Sequence, residues 1–354
     1  SLTYAIAVLI ITCPCALALA VPAVQVAATS RLFGRGVIVK AADGLERLAE
    51  VDTVVFDKTG TLTRGEPVLQ NGAEISDATL AAAASLAAAS RHPYSKAVVK
   101  AARERGLAVA AAPHVREVPG SGLAAPCASG ELRLGSEEWV RGEAATAGAA
   151  GALWVSDAEG GTTALRFEDA VRSDAPAVVH ALKAAGYDLH LLSGDRAPAV
   201  AKVAAAVGIA DWSAGVKPDG KIAAIEAMKA AGRKVLMVGD GLNDAPALAA
   251  AHASLSPSSA ADISQTAADA VFQGQALAPI LETISVARAT QRMSLENFAI
   301  SIGYNILFVP LAVAGHVTPL IAAVAMSLSS IAVTANALRL RRRRLALAST
   351  GRRP

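Results

Sequence analysis

Three apolar stretches constrain this chain more than any other feature. The first runs from about Leu2 to Leu32, interrupted by Cys13-Pro14-Cys15 and by Pro22; the second from about Phe298 to Ala314; the third from about Leu320 to Leu338. They read as membrane spans, since a hydrocarbon core of roughly 30 Å takes about 20 apolar residues in a helix. Gly315-His316-Val317-Thr318-Pro319 makes a short turn between the second and third. Arg339 and Arg341 to Arg344 follow the third span and place that end in the cytoplasm. Two crossings then put the large polar section, about Phe33 to Asn297, on the same side.

Composition fits that layout. The chain has 354 residues, room for two or three domains, and is 53% hydrophobic but only 4% aromatic. A net charge of +3, concentrated at the C-terminal arginines, gives no case for nucleic acid. Three cysteines make no disulfide framework. Cys13 and Cys15, inside an apolar segment, read as a soft-metal thiol pair rather than a disulfide, and Cys127 as a small apolar residue. The first residue is Ser, opening directly into an apolar run with no charged n-region or cleavage site. The chain therefore reads as a fragment that begins inside a membrane helix.

Within the polar section, Val54-Val55-Phe56 reads as a buried parallel strand with Asp57 at its end and Gly60 permitting a sharp turn. Ligands of open α/β sheets bind at the carboxyl ends of strands, where a carboxylate can attack a phosphoryl group and form an aspartyl phosphate. Leu189 to Leu192 and Val235 to Val238 read as two more buried strands, each followed by Gly-Asp. Helical segments at Ala175 to Ala185, Ala197 to Val207 and Lys221 to Ala231 lie among them, giving strand–helix alternation with a parallel sheet. From about Val68 to Leu165 the pattern changes to an alanine-rich helix at Ala78 to Ala89, then Ser-Arg-His-Pro, then strand-like pieces separated by glycines. That region reads as an insertion after the first strand.

Asp57-Lys58-Thr59-Gly60-Thr61-Leu62-Thr63 resembles the phosphorylation motif of P-type ATPases, pumps that drive ions across membranes through an aspartyl phosphate. Ser193-Gly194-Asp195, Lys217-Pro218-Asp219-Gly220-Lys221 and Gly239-Asp240-Gly241-Leu242-Asn243-Asp244 follow in the family's order. The resemblance implies a haloacid dehalogenase-like α/β phosphorylation domain with an inserted α+β nucleotide-binding domain and transmembrane α-helices. It makes Asp57 the nucleophile, with Lys58 and Asp195 beside it. Ser193, Lys221 and Asn243 become phosphate-site groups, and Asp240, Asp244 and the Thr59 carbonyl join Asp57 around Mg²⁺. Family phosphatases usually carry a second Asp two residues after the nucleophile as a proton shuttle. Thr59 stands there instead, which favours a long-lived aspartyl phosphate, as a pump needs.

In the insertion, His92-Pro93 and Gly120-Ser121-Gly122 resemble the nucleotide site of the heavy-metal branch, where the His holds adenine and the glycines admit the nucleotide. Many members carry a Glu five residues before that His and another directly before it; here Ala87 and Arg91 occupy those positions, removing an expected adenine contact.

The proline of Cys13-Pro14-Cys15 breaks the helical ladder and frees backbone groups at a protected site, and two thiolates there favour Cu(I), with Zn²⁺ and Cd²⁺ also accepting sulfur. Tyr304-Asn305 and Met326 with Ser330, one helical turn apart, resemble signatures of Cu(I)-transporting members. Zinc and cadmium pumps typically place an Asp in the last segment, and none occurs between Thr318 and Leu340. The wording around Cys-Pro-Cys is similar to bacterial copper pumps of cytochrome oxidase assembly (the FixI/CcoI type).

The resemblance thus implies ATP-driven translocation of Cu⁺, with ATP and Mg²⁺ as cofactors, in a multi-pass protein of the bacterial inner membrane whose large loop and C-terminus are cytoplasmic. Membrane lipid and a copper chaperone or periplasmic copper acceptor are its expected partners, and nucleic acid is not. The alternatives are a Zn/Cd-type pump segment and a non-catalytic membrane remnant or regulatory partner. The expected layout is a membrane segment over 1–32, a phosphorylation domain over 33–67 and 166–291, a nucleotide-binding domain over 68–165, two membrane helices over 292–340 and a basic tail over 341–354. An actuator's Thr-Gly-Glu is absent from the sequence. The expectation is a chain that binds nucleotide and takes phosphate on Asp57 without completing turnover.

Overall fold

The computed structural model describes residues 2–127, 130–142, 152–156, 161–240, 244–258, 262–342, 345 and 347. The chain opens with α1 (Leu2–Ile11), α2 (Cys15–Leu19) and α3 (Pro22–Phe33), followed by β1 (Val37–Val39), α4 (Gly44–Glu50) and β2 (Thr53–Asp57). A second compact unit, Thr63–Val171, comes next. It holds β3 (Thr63–Leu69), α5 (Asp77–Ala87), α6 (Pro93–Glu104), β4 (Arg116–Val118), β5 (Gly122–Cys127), β6 (Gly130–Gly135), α7 (Glu137–Arg141), β7 (Ala152–Ser156) and β8 (Thr162–Val171). The first unit resumes with α8 (Ala175–Ala184), β9 (Asp188–Leu192), α9 (Ala197–Val207), β10 (Asp211–Ser213), α10 (Pro218–Ala230) and β11 (Val235–Val238). It ends with α11 (Ala245–Ala250), β12 (Ala253–Pro257), α12 (Asp262–Ala267), β13 (Ala270–Phe272), α13 (Ala278–Val313) and α14 (Pro319–Arg342).

The sheet of the first unit runs β1-β13-β12-β11-β2-β9-β10, parallel throughout except for β1 against β13. β2 is buried along its whole length, which is why it reads as an unbroken apolar run rather than an alternating one. Val55, Leu192, Ile225, Val235, Met237 and Leu248 form a core between sheet and helices. Each such side chain, fully buried, contributes roughly 1.5–3 kcal/mol. Pro176, Pro198 and Pro218 open α8, α9 and α10, where a missing N–H costs nothing. After β2 the chain moves to β9 and β10 on one side, then returns to β11, β12 and β13 on the other. The order of connection reverses at β2, so the ends of β2, β9 and β11 bound the crevice where such sheets bind ligands.

The second unit is a six-stranded antiparallel sheet, β3-β8-β7-β6-β5-β4, backed by α5 and α6. Leu80, Leu86, Val98, Ala102, Leu123, Leu134, Val155 and Leu165 form its core. Ser76 caps α5, accepting from Thr79 N at 3.1 Å. The unit is wider than the expected 68–165, because β3 and β8 pair from Thr63↔Val171 onward.

The first apolar stretch is three helices rather than one, broken around Cys13-Pro14 and Ala20-Val21. Among the described residues, three helical segments are long and apolar enough to cross a membrane: Leu2–Phe33, Ala278–Val313 and Pro319–Arg341. Ala7, Ile11, Ala312, Val317 and Ala322 pack together where α1, α13 and α14 meet. Leu2, Leu9, Ile306, Val313, Leu320 and Ile331 remain exposed, an apolar surface suited to lipid or further helices. Arg31 pairs with Glu282 at 2.7 Å and donates to Leu340 O at 2.7 Å, tying α3, α13 and α14 at one end.

Candidate functional site

Strand register builds the site. Asp57, the last residue of β2, lies opposite Leu192, so Ser193 follows on the adjacent strand. Phe56 lies opposite Val238, and Asp240 follows two residues later. Asp244 opens α11 just beyond. Carboxylate oxygens of Asp57, Asp240 and Asp244 all lie within 4.8 Å of one another. Three hard oxygen donors so close fit Mg²⁺, which takes an octahedral oxygen shell at about 2.0–2.1 Å.

Lys221, from α10, projects between two of them. Its Nζ lies 2.6 Å from Asp57 Oδ1 and 2.6 Å from Asp244 Oδ1, with all three side chains buried. Burial and the Asp244 charge push the Asp57 carboxyl up to about 6, against the pull of Lys221. Burial lowers the Lys221 ammonium, but Asp57 and Asp244 outweigh it and its pKa is raised. Lys221 is therefore a fixed positive charge across the neutral range. A phosphoryl group arriving on Asp57 would meet that cation without rearrangement of the chain.

The loop after Asp57 bends at Gly60, φ +68°, and passes directly beneath Asp240. Thr59, the residue in place of a second Asp, is exposed. Lys58 is buried and ion-paired with Asp195. Ser193 is buried, and its Oγ accepts from Asp195 N at 3.2 Å, closing the turn after β9. Asn243 lies outside the described residues.

Arg172, absent from the sequence expectations, completes the loop. It is almost wholly buried and donates to Thr61 O at 2.7 Å, Gly60 O at 2.6 Å and Gln275 O at 2.9 Å. Its partners are main-chain carbonyls over a hundred positions away in sequence, so no local pattern could have revealed it.

In the second unit, His92 caps α6, accepting from Tyr94 N at 3.4 Å, and its exposed ring stacks on Tyr94 at 5.4 Å. Pro93 fills the first helical position. Gly120 turns the chain at φ +76° with open space around it. Gly122 faces Gly135 across β5 and β6, and a Cβ there would lie 2.2 Å from Leu134 O. Its bareness thus serves strand packing as well as any ligand. Ala87, which stands where the family resemblance leads one to expect a Glu, is buried. With Ala88, Ser90, Lys96, Val99, Lys100 and Arg103 it lines a cleft of ≈ 260 Å³.

The membrane residues are arranged differently from the expectation in one respect. Cys13 and Cys15 are joined as a disulfide, with Cα atoms 5.5 Å apart, where a dithiol was expected. Two residues flanking one proline at a helix break bring their sulfurs together; reduction is required before either can bind a metal. Asn305 Nδ2 donates to Ser301 O at 3.1 Å and Ser330 Oγ to Met326 O at 3.3 Å, so both spend a polar atom on their own helix. Tyr304 lies tilted against the Phe308 ring and packs in the cluster around Ile11, its buried hydroxyl without a hydrogen-bond partner among the described residues.

Residues 51–252 match the haloacid dehalogenase-like hydrolase family. The nitrogen fixation protein FixI of Rhizobium meliloti is 47% identical, over 96% of this chain and 44% of its own length. The probable copper-exporting P-type ATPase V of Mycobacterium tuberculosis is 37% identical, over 96% of this chain and 46% of its own. The crystal structure of a zinc-transporting PIB-type ATPase in the E2.Pi state superposes with TM-score 0.77 and 30% identity, covering 94% of this chain and 56% of that one. The chain spans less than half the length of these curated relatives.

Proposed function

This chain belongs to the haloacid dehalogenase-like hydrolases, in their heavy-metal P-type ATPase branch, and we propose that it takes phosphate from ATP onto Asp57 to drive Cu(I) across a bacterial membrane. The observation that carries this reading is Lys221 bridging buried Asp57 and Asp244 at the strand ends. One oxygen of Asp57 attacks the γ-phosphorus of ATP; the bond from that phosphorus to the β–γ bridging oxygen breaks, and ADP leaves. Lys221 offsets charge on the transferred group, and Arg172 holds the Gly60 and Thr61 carbonyls so that the loop stays in place. Asp57, Asp240, Asp244 and the Thr59 carbonyl would hold Mg²⁺, which would supply charge neutralisation on the phosphoryl oxygens. Thr59 offers no proton shuttle, which favours survival of the aspartyl phosphate. Residues 63–171 bind the nucleotide through His92, Pro93, Gly120 and Gly122.

The reading sets that loop on the cytoplasmic face of the inner membrane. Cys13 and Cys15, once reduced, take Cu(I) with Met326, Tyr304, Asn305 and Ser330, and a copper chaperone or a periplasmic acceptor handles it on either side. Zinc is the second reading, favoured by the likeness to a zinc-transporting structure. The thioether of Met326 and the lack of an Asp between Thr318 and Leu340 support Cu(I).

Labelling with γ-³²P-ATP tests the chemistry. The expected product is an acid-stable, hydroxylamine-labile phosphoprotein that is lost in Asp57→Asn; equal labelling of that variant sinks the assignment. Titration of the reduced chain with Cu(I) and Zn²⁺, beside Cys13→Ser and Met326→Ala, tests the cargo. Cu(I) binding that ignores both substitutions counts against it.

A further inference from the structure

The break after Cys-Pro-Cys leaves a carbonyl that its own helix does not serve. In an unbroken helix Val24 N–H would donate to Ala20 O. Here Val24 N–H turns to Val21 O at 3.0 Å. The Ala20 carbonyl accepts instead from Asn297 Nδ2 at 3.0 Å, across to α13. Asn297 is fully buried, and its Oδ1 accepts from Asn336 Nδ2 of α14 at 3.0 Å. Asn336 Oδ1 accepts in turn from Arg339 Nη1 at 2.8 Å. One amide group therefore joins all three apolar segments, using both its donor and its acceptor.

The layer this amide fixes is a short distance from the residues of the cargo site. At about 1.5 Å per helical residue, Cys15 lies roughly 7–8 Å along its helix from Ala20, Tyr304 roughly 10 Å from Asn297, and Ser330 roughly 9 Å from Asn336. α13 runs in the opposite sense to the other two segments, so all three intervals point the same way into the membrane layer. α2, which starts at Cys15, is only five residues long, and holding its far end sets where its first residue stands.

We propose that Asn297 is a positioning residue for the transported ion. By holding the Ala20 carbonyl, and being held by Asn336, it fixes the Cys13–Cys15 segment against α13 and α14 at the spacing the ligands need. This rests on the reading that Cys13 and Cys15 carry Cu(I). Asn297 touches no ion and bonds no ligand side chain; it acts by fixing the backbone that carries Cys15, and a loss of about tenfold, the lower end for a direct outer partner, is the expectation.

The test uses the full chain in detergent with a thiol reductant. Cu(I) affinity is read by competition with bicinchoninate, and copper coordination by X-ray absorption. Asn297→Asp keeps the acceptor and loses the donor to Ala20; Asn297→Leu loses both. Circular dichroism and gel filtration report folding. Expected is a loss of about tenfold or more in Cu(I) affinity in both variants, with altered copper–sulfur coordination and wild-type helical content. Binding within twofold of wild type by either folded variant overturns the proposal. Loss of folded, monodisperse protein in both assigns Asn297 to folding alone and overturns it equally. If the wild-type chain binds no Cu(I), or Cys13→Ser loses none, the cargo reading itself fails and takes this proposal with it.

Discussion

A Cβ built on Gly60 would lie 1.5 Å from Asp240 Oδ2. The loop that follows Asp57 is thus pressed against a carboxylate from a different strand end, and only a glycine at φ +68° fits. We expect Gly60→Ala to push Asp240 aside and to weaken Mg²⁺ binding at least tenfold. Thermal unfolding in EDTA should fall by about 1–3 kcal/mol for the strained backbone. Titration of Mg²⁺ by calorimetry checks the first, and undiminished affinity would show that Asp240 has room to move.

Asp57 works against the fold that presents it. Its folded-state pKa, pushed up to about 6, lies above the ordinary 3.8. Stability from this group is therefore fully present below pH 3.8 and is lost as pH rises through about 6. At pH 7.5 without metal, the ionised carboxylate costs on the order of 3 kcal/mol. Asp57→Asn should accordingly be more stable than wild type at pH 7.5 in EDTA, with the gap closing below about pH 4. Added Mg²⁺ should raise the melting temperature of wild type but not of the variant. A variant less stable than wild type at every pH would contradict this.

Lys221 offsets two carboxylates at once, so its removal should be expensive. Lys221→Met leaves Asp57 and Asp244 buried and facing each other, and we expect a loss of about 3–5 kcal/mol at pH 7.5. The loss should shrink near pH 5, where one of the two carboxylates can take a proton. Urea unfolding at both pH values measures it; a pH-independent loss would mean that packing, rather than charge, is what Lys221 supplies.

Arg172→Lys keeps the charge but loses the planar fork that serves three carbonyls. Each carbonyl left unserved costs about 1–3 kcal/mol, partly recovered by one ammonium. We expect a loss of about 2–4 kcal/mol together with slower phosphorylation of Asp57. Stopped-time labelling at saturating ATP separates the two: a destabilised variant that labels at the wild-type rate would confine Arg172 to folding.

The parallel frame was legible because fully buried strands announce themselves. Val235 to Val238 and Ala197 to Val207 have the boundaries that pattern gives them. β12 was not legible: Ala253–Pro257 carries two serines that are almost wholly buried, and Ser254 hides there by bonding Asp269 through both its N–H and its Oγ. That pairing exists only in three dimensions. The acidic and basic groups around Asp57 were readable as motifs, but the double grip of Lys221 and the fork of Arg172 were not, since neither follows from spacing. The Cys13–Cys15 pair was read as open thiols, and the fold closes them on each other because a single proline separates them.

The second unit leaves and rejoins the first at adjoining residues: Arg172 N donates to Leu62 O at 2.9 Å. For the host sheet, those 109 intervening positions amount to a closed loop whose ends already touch, and lengthening or shortening such a loop changes closure entropy only logarithmically. The sheet that carries Asp57 can therefore accept an insert of different length between Leu62 and Arg172 at little entropic cost, leaving its own strand register unchanged.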